Sequence, residues 1–134
     1  MKIGIPKEVH AGEKRVATTP EVAKQLMKLG FEVAIEVGAG SAANFSDASY
    51  VEMGVTVVKN AKEIWTESDI ILKVRGPEFN SDLNTEEVDL LKENQIFAPM
   101  CSWTLLLRDK HPRKMNLHIY LGELNLHRIN LQHY

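Results

Sequence analysis

The chain has 134 residues, 44% of them hydrophobic and 25% charged, with a formal net charge of −2. That is the size and composition of one globular domain able to bury a core without staples. The small net charge excludes a general electrostatic pull towards nucleic acid or anionic membrane, and the single cysteine, Cys101, excludes an internal disulfide and fits a reducing, cytoplasmic compartment. No run of about 18 apolar residues is present to span a bilayer, and Lys7 and Glu8 follow Met1 too soon for a signal peptide.

Strand and helix patterns alternate along the chain. Lys2-Ile3-Gly4-Ile5 reads as a short strand stopped by Pro6, and a polar loop follows. Thr18 and Glu21 have capping-box spacing and Pro20 suits a first helical position, which predicts a helix start there. Val22, Ala23, Leu26 and Leu29 share one face of that helix, and Gly30 stops it. Residues 31–37 alternate and read as the second strand; residues 47–53 form a short helix ended by Gly54. Residues 55–58 are a third strand and residues 62–67 a helix.

The run Ile70-Ile71-Leu72 within residues 69–74 reads as a strand buried on both faces, ended by Arg75-Gly76-Pro77. Residues 85–93 look helical and residues 95–98 make the next strand. Beyond Pro99 the pattern weakens: residues 105–108 fit a helix, residues 117–121 a strand, and residues 127–134 a polar tail. The repeating β-α order favours a mainly parallel sheet with helices on both faces. Ile3, Val33, Ile35, Ile70, Ile71, Leu72 and Ile96 are expected on its strands and buried.

Gly38-Ala39-Gly40-Ser41-Ala42-Ala43 imitates the dinucleotide fingerprint. The fingerprint needs an acid about 20 residues later, at the end of the next strand, and here that strand ends in Val57-Val58-Lys59-Asn60. The loop also follows the second strand rather than the first. A glycine turn that lets segments pack closely is the better reading.

Several residues read as structural. Cys101 reads as a small buried hydrophobe rather than a nucleophile, since no histidine stands at a telling position, and Trp65 and Trp103 fit packing or an interface. His10 lies in the first loop. His111, His118, His127 and His133 lack metal-ligand spacing and read as surface residues, and Glu86-Glu87 as a solvated helix face. Arg15 reads either as a solvated loop arginine or as a site residue. Lys73 is costly on a central strand unless its head reaches a cleft; otherwise it lies at a frayed end and points to water.

Gly4-Ile5-Pro6-Lys7-Glu8, Glu13-Lys14-Arg15-Val16-Ala17, Thr19-Pro20-Glu21-Val22 and Leu29-Gly30 resemble the opening signature of the alanine dehydrogenase and nicotinamide nucleotide transhydrogenase family. The likeness continues through Val37-Gly38-Ala39-Gly40, Phe45-Ser46-Asp47, Met53-Gly54 and Ser68-Asp69-Ile70-Ile71-Leu72-Lys73-Val74, covering roughly three quarters of the chain. It implies an α/β, Rossmann-like (flavodoxin-like) first domain that packs against a second, NAD-binding domain. In the family's dehydrogenases an arginine and a lysine hold the carboxylate of the keto acid, and Arg15 and Lys73 match them. A guanidinium forks onto a carboxylate and a lysine adds a point charge.

The dehydrogenases also use an acid/base histidine after the next strand. Here the stretch reads Ile96-Phe97-Ala98-Pro99-Met100-Cys101-Ser102, without histidine. That favours the transhydrogenase branch, as does Asn84-Thr85-Glu86-Glu87-Val88-Asp89-Leu90-Leu91-Lys92-Glu93. Transhydrogenase alpha subunits carry an Arg-Ile-Ser-Arg-Ala-Gln loop at the nicotinamide end of NAD. Arg128-Ile129-Asn130 begins like it, Leu131 and His133 depart from it, and Gln132 sits one place early. Arg128 and Gln132 are the cofactor-binding candidates on that resemblance.

The expectation is a single N-terminal domain over residues 1–134, atypical after about residue 100, with no NAD-binding domain of its own and inactive alone. The complete transhydrogenase would pass hydride from NADH to NADP+, coupled to proton movement. NAD(H) belongs to that complete enzyme, with no tight binding expected here. Expected partners are a second copy of the chain and NAD-binding and membrane-embedded transhydrogenase subunits, which would place the chain in the cytoplasm, peripheral to the inner membrane. An alanine dehydrogenase-type fragment and a non-enzymatic interaction domain are the rival readings.

Overall fold

The computed structural model describes residues 1–100 and the backbone of the short strand His118–Ile119. The described elements are β1 (Lys2–Ile5), α1 (Pro20–Lys28), β2 (Glu32–Glu36), α2 (Asp47–Glu52), β3 (Thr56–Val58), α3 (Ala61–Glu67) and β4 (Ile70–Lys73). They continue with β5 (Phe79–Asn80), β6 (Thr85–Glu86), α4 (Glu87–Leu90), β7 (Ile96–Pro99) and β8 (His118–Ile119). Six strands form one sheet in the order β3-β2-β1-β4-β7-β8. Every pairing in it is parallel, as the β-α alternation predicts. The chain winds outward from β1 in one direction and then from β4 in the other, which is the Rossmann order among doubly wound sheets.

Period-two alternation sorts the strand side chains onto two faces. Ile3, Ile5, Val33 and Ile35 pack with Ala23 of α1 and Tyr50 of α2. Ala34, Ile71 and Phe97 pack on the other face with Ile64 and Trp65 of α3 and Val88 of α4. Trp65 is fully buried and stacks on Phe97, with ring centroids 6.5 Å apart, as a packing residue should. Gly4 lets α3 approach β1, since a Cβ there would lie 2.1 Å from the Ser68 hydroxyl.

Several expectations need correction. Of the seven residues expected to be buried, Ile3, Val33, Ile35 and Ile71 are, but Ile70, Leu72 and Ile96 are only half-buried. The cap of α1 is Thr19, whose hydroxyl accepts from the Val22 N–H, one residue later than the capping-box spacing suggests. Thr18 is instead buried, and its carbonyl accepts the Tyr50 hydroxyl at 2.7 Å. Val22 and Leu29 of the expected apolar face stay exposed, and the helix packs through Ala23, Leu26 and Met27. The helix expected over residues 85–93 is one short turn, because Thr85–Glu86 pairs antiparallel with Phe79–Asn80 and α4 covers only Glu87–Leu90. The expectations for residues 105–108 and 127–134, Cys101 and Trp103 lie outside the described residues.

Candidate functional site

In doubly wound sheets ligands bind beyond the carboxyl ends of the strands, where the winding reverses. Here that point lies between β1 and β4. Pro6 ends β1 and the loop after it carries Glu8, His10, Glu13 and Arg15; the loop after β4 carries Val74, Arg75 and Glu78. Carboxylates join these two loops. Glu8 accepts from the backbone N–H groups of Val74 (2.6 Å) and Arg75 (3.3 Å). Glu13 accepts from Arg75 Nε at 2.8 Å. His10 Nδ1 lies 2.7 Å from Glu78 Oε1.

Lys73 ends β4 fully buried. Its Nζ is 2.5 Å from Glu87 Oε2, 3.7 Å from Glu8 Oε2, and 5.9 Å from the centre of the Trp65 ring. The lysine therefore neither points to water nor opens onto a cleft: burying an ammonium requires partners, and two glutamates supply them. Glu87, expected on a solvated face, is fully buried, while Glu86 beside it is exposed.

Arg15 sits at the rim, with two-thirds of its side chain exposed. Its Nε and Nη2 each donate to Glu13 at 2.8 Å, and its backbone N–H donates at 2.9 Å. The described contacts thus bring Arg15 and Lys73 into one network, through Glu13, Arg75 and Glu8, with Lys73 inside it and Arg15 at its edge. Arg128 and Gln132 lie outside the described residues. Glu8, Glu13, Arg75 and Glu87 had no role assigned from sequence. The buried lysine was the signal that an acid had to stand near it.

The electrostatics follow from these contacts. Hydrogen bonds from Arg15, joined by one from Arg75, hold the Glu13 carboxyl well below the usual carboxylate range. Burial pushes the Glu8 carboxyl up, and the nearby Lys73 and two amide hydrogen bonds offset part of that. Burial also raises Glu36, at the end of β2, against a hydrogen bond from the Lys7 N–H. Burial pushes the Tyr50 hydroxyl up to about 12.

The strand β7 runs beside β4 in register, with Pro99 opposite Lys73 and the Met100 N–H donating to the Lys73 carbonyl at 2.9 Å. Neither Pro99 nor Met100 can shuttle a proton. Elsewhere, the Gly38-Ala39-Gly40 loop spends its amides internally. The Gly38 N–H donates to Asp47 Oδ1 at 2.9 Å, Ala39 N–H to the Glu36 carbonyl, and Ser41 N–H to the Gly38 carbonyl. Those amides do not fit a dinucleotide pyrophosphate, which needs free, converging donors. Among the described residues no group of His, Cys, Asp or Glu could hold a metal ion. Nor is any helix there long and apolar enough to cross a membrane.

A parallel sheet wound in the Rossmann order defines a Rossmann-like domain, with a buried lysine and a rim arginine at its switch point. Residues 4–114 match the family model described as alanine dehydrogenase/PNT, N-terminal domain, and the chain belongs to that family. It is 53% identical over 78 residues to an NAD(P) transhydrogenase subunit alpha from Cereibacter sphaeroides, covering 58% of this chain and 15% of that protein. It is 43% identical over 101 residues to the first part of the NAD(P) transhydrogenase subunit alpha from Rhodospirillum rubrum, covering 75% and 26%. A solved L-alanine dehydrogenase superposes with a TM-score of 0.63 and 33% identity, over 74% of this chain and 26% of that one. The chain thus spans about a quarter or less of the length of these relatives.

Proposed function

We propose that the chain is the amino-terminal domain of a proton-translocating NAD(P)+ transhydrogenase alpha subunit. In the complete enzyme NADH would give hydride to NADP+, and these residues alone would transfer none. The carrying observation is the stretch Ile96-Phe97-Ala98-Pro99-Met100-Cys101-Ser102, which opens as β7 beside Lys73 and holds no histidine, where by resemblance the dehydrogenase branch carries its acid/base histidine. Identity to transhydrogenase alpha subunits supports the same branch. NAD(H) would then be held by a nucleotide domain, with membrane-embedded subunits as partners. The chain would lie in the cytoplasm, reaching the inner membrane through them. A second copy of the chain also belongs to this reading, as do Arg128 and Gln132 as nicotinamide-end residues.

The second reading, an alanine dehydrogenase-type domain, is favoured by Arg15 and Lys73 both standing at the carboxyl end of the sheet. Calorimetric titration of the purified chain with NADH and, separately, with pyruvate tests both. The expected result is no saturable heat with either. Hydride transfer requires the nicotinamide to be positioned by the protein, and the one glycine-rich loop does not fit a pyrophosphate. NADH binding with a micromolar constant, about 8 kcal/mol of binding free energy, would overturn the claim that these residues lack a nucleotide site. Pyruvate binding would move the assignment to the dehydrogenase branch.

A further inference from the structure

We propose that residues 7–15, the strap between β1 and α1, open as a unit while the sheet stays folded, and that closure of this strap is what seals Lys73 from solvent. Pro6 is buried at one end of the strap, and Val16 and Ala17 pack into the core at the other. Between these anchors, Lys7-Glu8-Val9-His10-Ala11-Gly12-Glu13-Lys14-Arg15 places no side chain in either apolar cluster of the described residues. Nor, among the described residues, does a backbone–backbone hydrogen bond tie the strap to the rest of the chain: the Glu13 N–H donates to the His10 carbonyl at 3.0 Å, within the strap itself.

Carboxylates tether the strap instead. The Lys7 N–H donates to Glu36 Oε2 at 2.8 Å, Glu8 accepts from the Val74 and Arg75 amides, His10 Nδ1 meets Glu78 Oε1, and Glu13 accepts from Arg75 Nε. Each tether is polar, and the exposed Lys7, Lys14 and Arg15 put water within reach of the segment that carries them. A segment with few buried apolar contacts opens at a lower free energy than the core it rests on. The tethers are spaced along one short segment fixed at both ends, so release of one loosens the restraint on the next. Glu8 is the tether that bears on Lys73. Its side chain is 4% exposed and its Oε2 lies 3.7 Å from Nζ. When Glu8 leaves with the strap, the ammonium is uncovered on that side, while Glu87 stays with α4. The same motion carries Arg15 away from Lys73, so the two stand at one site only while the strap is closed.

Residue-resolved hydrogen exchange of the full chain in low urea tests the strap. The Lys7 and Val74 amides donate to different carboxylates on different elements. Both should exchange at rates insensitive to urea, whereas the Ile35 and Ile71 amides of the sheet should follow global unfolding. His10→Ala removes the tether to Glu78 and the acceptor of neither amide. It should speed Lys7 and Val74 by the same factor, roughly tenfold, the scale of one hydrogen bond to a charged group, and leave Ile35 and Ile71 unchanged. Ile64→Val weakens the core under α3 and should do the reverse. Reductive methylation of Lys73 should accelerate in His10→Ala by the factor seen at Val74. Speeding of one amide alone in His10→Ala, or of neither, would overturn opening as a unit. Lys7 and Val74 that follow Ile64→Val would show that the strap opens only with the sheet, which overturns it too. Lys73 methylation that tracks the sheet amides would overturn the seal. None of these readouts involves a nucleotide, so failure here and failure of the transhydrogenase reading are distinguishable.

Discussion

Glu13 shows how much one side chain contributes to arranging the site. Its two oxygens receive the Arg15 guanidinium from its own loop and the Arg75 guanidinium from a loop 62 residues away. Its carboxyl is held below the usual range, so the folded chain binds that proton less readily than the unfolded one. The sign follows: the stabilisation is present above the usual carboxylate range and is lost as pH falls through the lower folded value. Glu13→Gln should therefore cost about 2 kcal/mol at neutral pH, the scale of hydrogen bonds to charged groups, and the gap to wild type should close in strong acid. Urea denaturation at both pH values measures it. A gap of the same size in acid would mean that Glu13 acts by packing rather than by charge. The sequence showed Glu13 only as part of a signature, because its work depends on Arg75, which the fold brings up from a distant strand. Lys73 was legible only as a costly residue on a central strand: its pattern offered a cleft or water for the head, and the fold gives it Glu87 and Glu8 instead. Glu87 went unrecognised as that partner because residues 85–93 read as one solvated helix, whereas the helix begins at Glu87 and its first residue turns inward.

At the scale of elements, the loop after β2 separates two uses of glycine. Gly38 has φ +74°, a left-handed conformation, while its surroundings are open; only the Ser41 hydroxyl, at 3.8 Å, would be near an added Cβ. Gly40 has ordinary backbone angles but no room, since a Cβ there would lie 2.8 Å from the Phe45 carbonyl oxygen and from the Tyr50 ring. Gly38→Ala should cost about 1–2 kcal/mol from backbone strain, and Gly40→Ala about 1–3 kcal/mol from overpacking. The two differ in a second readout. Gly40→Ala should disturb the Tyr50 environment in near-ultraviolet circular dichroism, and Gly38→Ala should leave it unchanged. An unchanged Tyr50 signal in Gly40→Ala would mean that the loop can move away from α2 freely. The strands of the sheet were all legible from alternation and apolar runs. The β5–β6 hairpin was not, since strands of two residues carry no period and their pairing depends on tertiary context. The one-residue shift of the α1 cap has a similar origin. Thr18 and Thr19 are both competent caps, and the choice falls to Thr19 because Tyr50 engages the Thr18 carbonyl.

At the scale of the whole molecule, the parallel sheet gathers charge at one rim, because every loop that follows a strand leaves from the same edge. Glu8, Glu13, Arg15, Glu36, Lys73 and Arg75 all lie at or just beyond the ends of β1, β2 and β4. The three shifted carboxyls among them, Glu8, Glu13 and Glu36, pull stability in opposite directions. Glu8 and Glu36 have carboxyls raised by burial, so the folded chain holds those protons more tightly than the unfolded one. Their contribution is full below the usual carboxylate range and is lost as pH rises through the raised folded values. Glu13 behaves oppositely, and stability should therefore peak in weak acid and fall off on either side. Glu36→Gln isolates one arm of that profile. Glutamine keeps an oxygen to accept the Lys7 N–H that Glu36 now accepts at 2.8 Å, but carries no charge to desolvate. The variant should gain on wild type as pH rises from the usual carboxylate range to neutrality. Below that range, where Glu36 is already protonated, the two should converge. Chemical denaturation across a pH series provides the comparison. Two curves that stay parallel at every pH would mean that Glu36 titrates alike in the folded and unfolded chain, and that its burial adds no pH dependence to stability.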